Sequence, residues 1–268
     1  MNFDAVKLVY FSPTGTTRKV LDGIAEGLGA ANIEHIDLTL PQGDTGMPIE
    51  IKDELVLLGV PVYEGRVPKT AIPRLGRLKT DKTPAVIIVV YGNRDFDDAL
   101  IELNDLTREM GFLPIAGGAF IGEHSFANEN RPMGNGRPDA DDLTAAKEFG
   151  SKIRAKLSEL DSIDEASLIK PPGNKPYREI DRSALEDRSA VTRDEECTLC
   201  GDCASLCPVG AIIIEDTVKT DNIACILCNA CVKNCPTGAR VVDDPMVNKI
   251  ANWVSRHFQA RREPEIFI

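Results

Sequence analysis

Residues 7–29 read KLVYFSPTGTTRKVLDGIAEGLG, and this stretch decides the fold class. A mostly apolar run at 7–11 is followed by a short turn rich in hydroxyl groups, and then by residues 17–29, whose apolar positions have helical spacing. A nearly continuous apolar run is typical of a strand that is buried on both faces, as in a parallel sheet. The stretch therefore predicts a strand, a loop and a helix in immediate succession.

The same alternation continues through the first 160 residues. Further strands are predicted at 54–60, 85–91 and 115–121, with a weaker alternating candidate at 33–38, and helices at 69–78, 97–111 and 139–160. Strands that alternate with helices indicate a doubly wound, five-stranded parallel α/β sheet, in which ligands bind beyond the carboxyl ends of the strands. We therefore expect the loops after the strands to carry the function.

Three of these loops have the composition of a ligand site. Residues 12–17 (SPTGTT) combine hydroxyl groups with the N–H groups of a helix N-terminus, which suits an anion. The loop lacks both G-x-x-x-x-G-K-S/T and G-x-G-x-x-G, so it is neither a triphosphate P-loop nor a dinucleotide fingerprint. Residues 61–68 (PVYEGRVP) and 91–99 (YGNRDFDDA) each place an aromatic side chain beside a glycine at a strand end. A flat tricyclic ring needs such walls, and FMN fits the combination.

The second half of the chain carries all eight cysteines, in two copies of the pattern C-x2-C-x2-C-x3-C-P. Cys197 and Cys225, which begin the two copies, are 28 residues apart, and the likeness extends from CPVGAIIIED to CPTGARVVDD. This internal repeat is the run found in bacterial two-cluster ferredoxins, and it predicts two 4Fe–4S clusters. The predicted metal ligands are Cys197, Cys200, Cys203, Cys207, Cys225, Cys228, Cys231 and Cys235.

Two other uses of the cysteines suit the sequence less well. Disulfides need an oxidising compartment, and the N-terminal residues MNFDAVKLVYF lack the features of an export signal. Structural zinc takes two C-x2-C pairs separated by a longer loop, and requires neither a third cysteine two residues on nor a trailing proline. We therefore expect clusters, held in the reducing cytoplasm.

Charge and hydropathy narrow the choice of partners. The net charge is −11, and acidic residues outnumber basic ones around the cysteines. This balance argues against nucleic acid and favours redox partner proteins with basic patches, although an acidic surface that is merely solvated explains it equally well. No apolar run reaches the roughly 20 residues that cross a bilayer, so no membrane insertion is expected.

With these loops and cysteines, the sequence resembles the flavodoxin-like proteins that are fused to a bacterial-type ferredoxin domain with two 4Fe–4S clusters. The resemblance implies a flavodoxin-like FMN-binding domain at 1–160 and a small α+β ferredoxin domain at 191–245. Between them, the prolines of residues 161–190 predict an extended linker, and apolar residues at helical spacing predict a C-terminal helix and tail at 246–268. The resemblance also implies crossed ligand sets, in which Cys235 completes the cluster of Cys197, Cys200 and Cys203, and Cys207 completes that of Cys225, Cys228 and Cys231.

The resemblance further implies the residues of the flavin site. The FMN phosphate would be bound by Ser12, Thr14, Gly15, Thr16 and Thr17. The rest of the site would be formed by Pro61, Val62, Tyr63, Gly65, Arg66, Val67, Tyr91, Gly92, Asn93, Arg94 and Phe96.

The predicted function is electron transfer between FMN and the two clusters, which couples two-electron with one-electron redox partners. A second hypothesis is a flavin-dependent reductase of a small molecule, fed by the clusters, with residues 127–141 as a lid and His124 exchanging a proton with the flavin. A third is an interaction module that binds no flavin. The sequence leaves open whether the flavin meets the clusters of its own chain or those of a partner subunit in a homodimer.

Overall fold

The computed structural model describes residues 3, 5–43, 46–52, 54–181, 183 and 185–268. The strands and helices predicted for the N-terminal part are all present, with their ends moved by a few residues. In chain order, the elements of this part are β1 (Ala5–Tyr10), α1 (Thr16–Leu28), β2 (Asn32–Asp37), β3 (Ile49–Glu50), β4 (Leu55–Pro61), α2 (Ala71–Leu75), β5 (Leu78–Lys79), β6 (Thr83–Tyr91), α3 (Ala99–Glu109), β7 (Phe112–Ile121) and α4 (Ala140–Ser158).

Five strands form a parallel sheet in the order β7-β6-β4-β1-β2. Near the middle of β1, Leu8 is paired with His35 of β2 on one side and with Leu57 of β4 on the other. When only these five strands are numbered, their order is 2-1-3-4-5, which is the order of flavodoxin-like folds. The predicted flavodoxin-like fold is therefore confirmed.

Helices cover both faces of the sheet, as the apolar runs require. On one face, Leu8 packs in a core with Leu21 of α1 and Phe149 of α4. On the other, Val9 packs in a second core with Leu103 of α3. The two helices of the first face approach closely because Gly27 has no side chain: a Cβ there would lie 1.9 Å from a backbone carbonyl oxygen of α4.

The cysteine-rich part consists of short elements: β8 (Val191–Thr192), α5 (Asp202–Ser205), β9 (Ile212–Ile214), β10 (Val218–Thr220), α6 (Ala230–Lys233) and β11 (Arg240–Val241). β9 pairs with β10, and β8 with β11, in two antiparallel ribbons. The 28-residue repeat is also visible in the backbone, because positions with positive φ recur at that offset. The pairs are Leu199 and Leu227, Gly201 and Asn229, and Gly210 and Gly238.

The C-terminal segment returns to the N-terminal sheet. α7 (Pro245–His257) begins after Asp244, whose carboxylate accepts hydrogen bonds from the N–H groups of Met246 and Val247 at 2.9 and 3.0 Å. β12 (Glu265–Phe267) then pairs with β7 in antiparallel orientation and becomes the sixth strand of the sheet. The helix was predicted, whereas the edge strand was not. Among the described residues, no helix has the length and apolar character needed to cross a membrane.

Candidate functional site

The loop between β1 and α1 has a geometry that suits an anion. Gly15 has a φ of 79° and directly precedes the helix, whose first N–H groups have no acceptor within the helix. The hydroxyl oxygens of Thr14 and Thr16 lie 3.3 Å apart. The hydroxyl of Thr17 is buried and has no hydrogen-bond partner within the described residues. Such a set of donors is suited to the oxygens of a phosphate group.

A cavity of about 460 Å³ lies at the carboxyl ends of β1, β4, β6 and β7. This is the edge of the sheet at which ligands of doubly wound folds bind, and the volume lies in the range that holds one drug-sized molecule. The predicted cofactor residues that line it are Thr14, Thr16, Pro61, Val62, Tyr63, Gly65, Tyr91, Gly92 and Arg94.

Other predicted cofactor residues lie outside the lining of this cavity. Arg66 donates two hydrogen bonds of 2.7 Å to the buried carboxylate of Glu102. Val67 and Phe96 belong to the hydrophobic core, where the ring of Phe96 packs against Tyr91 at a centroid distance of 5.6 Å.

Three further predicted residues stabilise the conformation of the loops and of the segments beside them. The side chain of Asn93 binds the C-terminal segment. The hydroxyl of Ser12 accepts a hydrogen bond of 3.1 Å from the N–H of Arg18, and Gly15 provides the turn before α1.

His124 lines the cavity beside Gly92. Its Nδ1 accepts a hydrogen bond of 3.1 Å from the N–H of Phe126, so the neutral ring carries its proton on Nε2. Burial, together with the positive charges of Lys233 and Arg94, lowers the pKa of His124 to about 4. The imidazole is therefore neutral at pH 7, where it can donate a hydrogen bond but is not a charged acid.

Part of the cavity wall was missed by the sequence analysis, because it comes from distant segments. The predicted linker contributes Arg178, Glu179, Ile180, Asp181 and Leu185, the second cysteine motif contributes Ile226 and Leu227, and α7 contributes Ile250, Trp253 and Val254. Apolar residues within an otherwise polar linker were the available signal for Ile180 and Leu185. The predicted lid, residues 127–141, does not line the cavity, and its Ala127 and Met133 instead pack against α7.

The eight cysteines surround two separate cavities. One is lined by Cys207, Cys225, Cys228 and Cys231, and the other by Cys197, Cys200, Cys203 and Cys235. The fourth cysteine of each copy thus lies with the first three of the other copy. Among the described residues, no three histidine, cysteine or acidic side chains converge on a point as ligands of one metal ion. A 4Fe–4S cubane does not need such convergence, since its four thiolates bind different irons.

The surroundings of the sulfur atoms differ. Burial raises the pKa of the Cys203 and Cys231 thiols, and raises that of Cys228 to about 12. Although burial also opposes the charge of Cys235, N–H groups of Arg240, Thr237 and Ala239 hold its pKa below the ordinary value. Buried thiolates need a positive counter-charge, and bound metal supplies one. The donor set therefore fits iron–sulfur clusters.

Residues 196–240 match the 4Fe-4S dicluster domain family. The cysteine-rich part is thus similar to dicluster domains. No curated protein matches the chain.

Several solved structures are similar to the chain. A flavodoxin from the domain Archaea has 16% identity and a TM-score of 0.39, and the match covers 58% of this chain and 99% of that one. A Fusobacterium nucleatum flavodoxin bound to flavin mononucleotide has 12% identity and a TM-score of 0.38, with 57% and 98% covered. An oxidoreductase from Corynebacterium diphtheriae has 14% identity and a TM-score of 0.43, with 60% and 100% covered.

The cysteine-rich part is held against the N-terminal part by polar contacts around the cavity. Lys233 of α6 forms an ion pair with Glu123 and donates a hydrogen bond of 2.8 Å to the carbonyl of Ala127. The amide of Asn229 donates to the carbonyl of Ser125 at 2.8 Å. Each of these contacts joins the second cysteine motif to the loop that follows β7, so the cysteine-rich part forms one wall of the cavity.

Tyr63 lies between the cavity and this motif. Burial and the neighbouring Cys228 raise the pKa of the Tyr63 hydroxyl well above its ordinary value, so the phenol is neutral.

Proposed function

We propose that this protein transfers electrons between FMN, bound in the cavity at the strand ends, and two 4Fe–4S clusters of the same chain. One observation carries the proposal: Ile226 and Leu227 line both the cavity at the strand ends and the cavity of the second cysteine motif. These two residues are the turn between Cys225 and Cys228. A cluster bound by those cysteines would therefore be separated from the flavin by little more than one turn of chain.

The residues of the cavity suit FMN. The hydroxyls of Thr14 and Thr16 and the first N–H groups of α1 would hold the phosphate. Gly65 and Gly92 lie where the wall has no room for a side chain. A Cβ would lie 2.2 Å from Asp97 at Gly65 and 2.4 Å from His124 at Gly92. A bound flavin supplies a group that takes two electrons and passes them on singly, whereas each cubane takes one.

The polar side chains would orient the ring. His124 presents a neutral N–H, and Arg94, which pairs with Asp97, provides a guanidinium that is held in place at the cavity wall. Because His124 is not a charged acid at pH 7 and the cavity holds one ligand of FMN size, electron transfer is favoured over the reduction of a second small molecule.

The cluster of Cys197, Cys200, Cys203 and Cys235 would be the outer one. Cys200 is exposed, and Leu199 beside it has 44% of its surface exposed. The exposed acidic residues of this region are Asp194, Glu195, Glu196 and Asp202. A redox partner protein with a basic patch would therefore meet the chain at this outer cluster. Electrons would pass between it and the flavin through the cluster of the second cysteine motif.

The test is anaerobic purification, followed by analysis of iron, sulfide and flavin and a stepwise reductive titration. We expect about eight irons and one FMN per chain, the iron figure following from two cubanes. Laser-flash reduction would then measure electron exchange between flavin and cluster at several protein concentrations. In protein shown to be monomeric, a rate that is independent of concentration supports exchange within one chain, and a rate that rises with concentration contradicts it. Protein that holds iron but takes up no FMN would refute the flavin assignment.

A further inference from the structure

Arg240 is buried between the two cysteine cavities. Its exposed fraction is only 2%, and it lines both the cavity of Cys231 and the cavity of Cys203. The guanidinium therefore lies between the two predicted clusters.

The guanidinium has no carboxylate partner among the described residues. Nη1 donates to the hydroxyl of Thr192 at 2.6 Å, and Nη2 donates to the carbonyl of Ala190 and the hydroxyl of Thr220 at 3.1 and 2.9 Å. Nη2 also lies 3.7 Å from the sulfur of Cys231, and Nε is buried with no partner. An arginine cannot shed its charge, and a buried charge without a counter-ion is costly.

The internal repeat shows that packing alone does not require arginine at this place. Residue 212 is the counterpart of residue 240 in the first copy, where CPVGAI corresponds to CPTGAR. That counterpart is Ile212, which is buried in a small apolar cluster with Cys203 and Cys207. One half of the repeat fills the position with an aliphatic side chain and the other with a cation. The cation therefore serves a purpose other than filling space.

We propose that Arg240 is a shared counter-charge that raises the reduction potentials of both clusters, and most strongly that of the cluster bound by Cys231. This inference rests on the proposed function, because it needs both clusters. Reduction adds one electron to a cubane, with no bond made or broken and no proton moved; the electron comes from an external one-electron donor. A four-thiolate cluster becomes more negative on reduction, so a fixed cation stabilises the reduced form, and a hydrogen bond to its sulfur adds to the effect.

The test compares Arg240→Gln and Arg240→Lys with the wild type, using the full chain purified anaerobically. Glutamine removes the charge, whereas lysine keeps the charge but loses the forked donor that reaches Cys231. Potentials would be measured by redox titration monitored by electron paramagnetic resonance. For Arg240→Gln we expect both clusters to become harder to reduce, with at least a tenfold fall, or about 59 mV, in the one-electron equilibrium of the more affected cluster. For Arg240→Lys we expect the potential of the cluster bound by Cys231 to shift and that of the other cluster to stay near the wild-type value.

The controls separate this inference from the proposed function. Arg193→Gln removes an exposed arginine that pairs with Glu196 beside the outer cluster, and it should leave both potentials within a factor of two of the wild-type equilibrium. The potential of bound FMN should be the same in every variant. Unchanged potentials in Arg240→Gln with full iron content would overturn the inference and leave the proposed function intact. If Arg240→Gln loses its iron, the test depends on Arg240→Lys. Wild-type potentials for both clusters in Arg240→Lys would then refute the role of Arg240 as a counter-charge. A wild-type chain without clusters would refute both.

Discussion

The side-chain amide of Asn93 donates a hydrogen bond of 2.8 Å to the backbone carbonyl of Phe258. The same amide donates to Ala260 at 3.0 Å, and its oxygen accepts from the N–H of Arg262 at 3.3 Å. A residue at the carboxyl end of β6 thus fixes the segment that joins α7 to β12. Since α7 forms part of the cavity wall, Asn93 acts on the cavity through the C-terminal segment.

The substitution Asn93→Ala should therefore loosen the C-terminal segment. Removing a buried side chain with several hydrogen bonds costs roughly 1–3 kcal/mol, so amide exchange at residues 258–267 should accelerate by about tenfold. Hydrogen-exchange mass spectrometry would measure this, with the exposed Asn130→Ala as the control. If exchange stays at the wild-type rate while FMN binding weakens, Asn93 contacts the flavin directly, as its place in the sequence predicts.

Gly92 leaves room for the ring of His124. A Cβ at this position would lie 2.4 Å from His124 Cδ2, so Gly92→Ala should displace the imidazole and break its hydrogen bond with Phe126. We expect FMN affinity to fall by about tenfold, since overpacking costs roughly 1–3 kcal/mol. Fluorescence titration would measure the affinity. Gly76→Ala is the matched control, because its Cβ would meet nothing closer than 3.5 Å. Wild-type affinity in Gly92→Ala would show that the position of His124 does not matter for binding.

Arg66 is expected to affect stability more than flavin binding. In Arg66→Met the carboxylate of Glu102, which is 5% exposed, loses its charged partner and remains buried. Breaking a buried pair in this way costs about 3 kcal/mol, which denaturant unfolding would measure. Arg108→Met, on the exposed surface of α3, is the control and should change little. A large loss of FMN affinity with unchanged stability would instead show that Arg66 belongs to the flavin site.

The parallel strands could be predicted because a strand that is buried on both faces consists of consecutive apolar residues. All nine residues of β6 are buried, so the sequence there is an almost unbroken apolar run whatever its neighbours are. β12 has no such signal, because it is a three-residue, partly exposed segment that becomes a strand only by pairing with the edge of β7. Edge strands of this length depend on tertiary contact more than on composition.

The same distinction applies to the candidate site. Thr14, Tyr63 and Gly92 could be predicted, since each follows a strand whose carboxyl end must face the ligand edge of the sheet. Leu227 could not, because it reaches the cavity only through the packing of the cysteine-rich part against the N-terminal part. For the same reason the sequence left the coupling of flavin and clusters undecided between one chain and two.

The low pKa of His124 predicts a loss of stability on mild acidification. Burial, Lys233 and Arg94 lower this pKa to about 4, against an ordinary value of 6.5. Between those values the unfolded chain binds a proton that the folded chain does not, so stability falls as pH falls below about 6.5. From pH 7.5 to 5.5 the wild type should lose about 1 kcal/mol more than His124→Gln. Denaturant unfolding at the two pH values would measure the difference, with His257→Gln as an exposed control. Equal losses in wild type and His124→Gln would contradict the prediction.

The crossed cysteine sets predict that the two trailing cysteines have opposite effects. Cys207 lies with Cys225 and Cys228, so Cys207→Ser should destroy the cluster beside the flavin, although Cys207 belongs to the first copy of the motif. Cys235→Ser should destroy the outer cluster. Each variant should lose about half of its iron. Laser-flash reduction distinguishes them: electron exchange between flavin and cluster should disappear in Cys207→Ser and persist in Cys235→Ser, which serves as its matched control. The reverse result would mean that each copy of the motif binds its own cluster, or that the outer cluster is the one that meets the flavin.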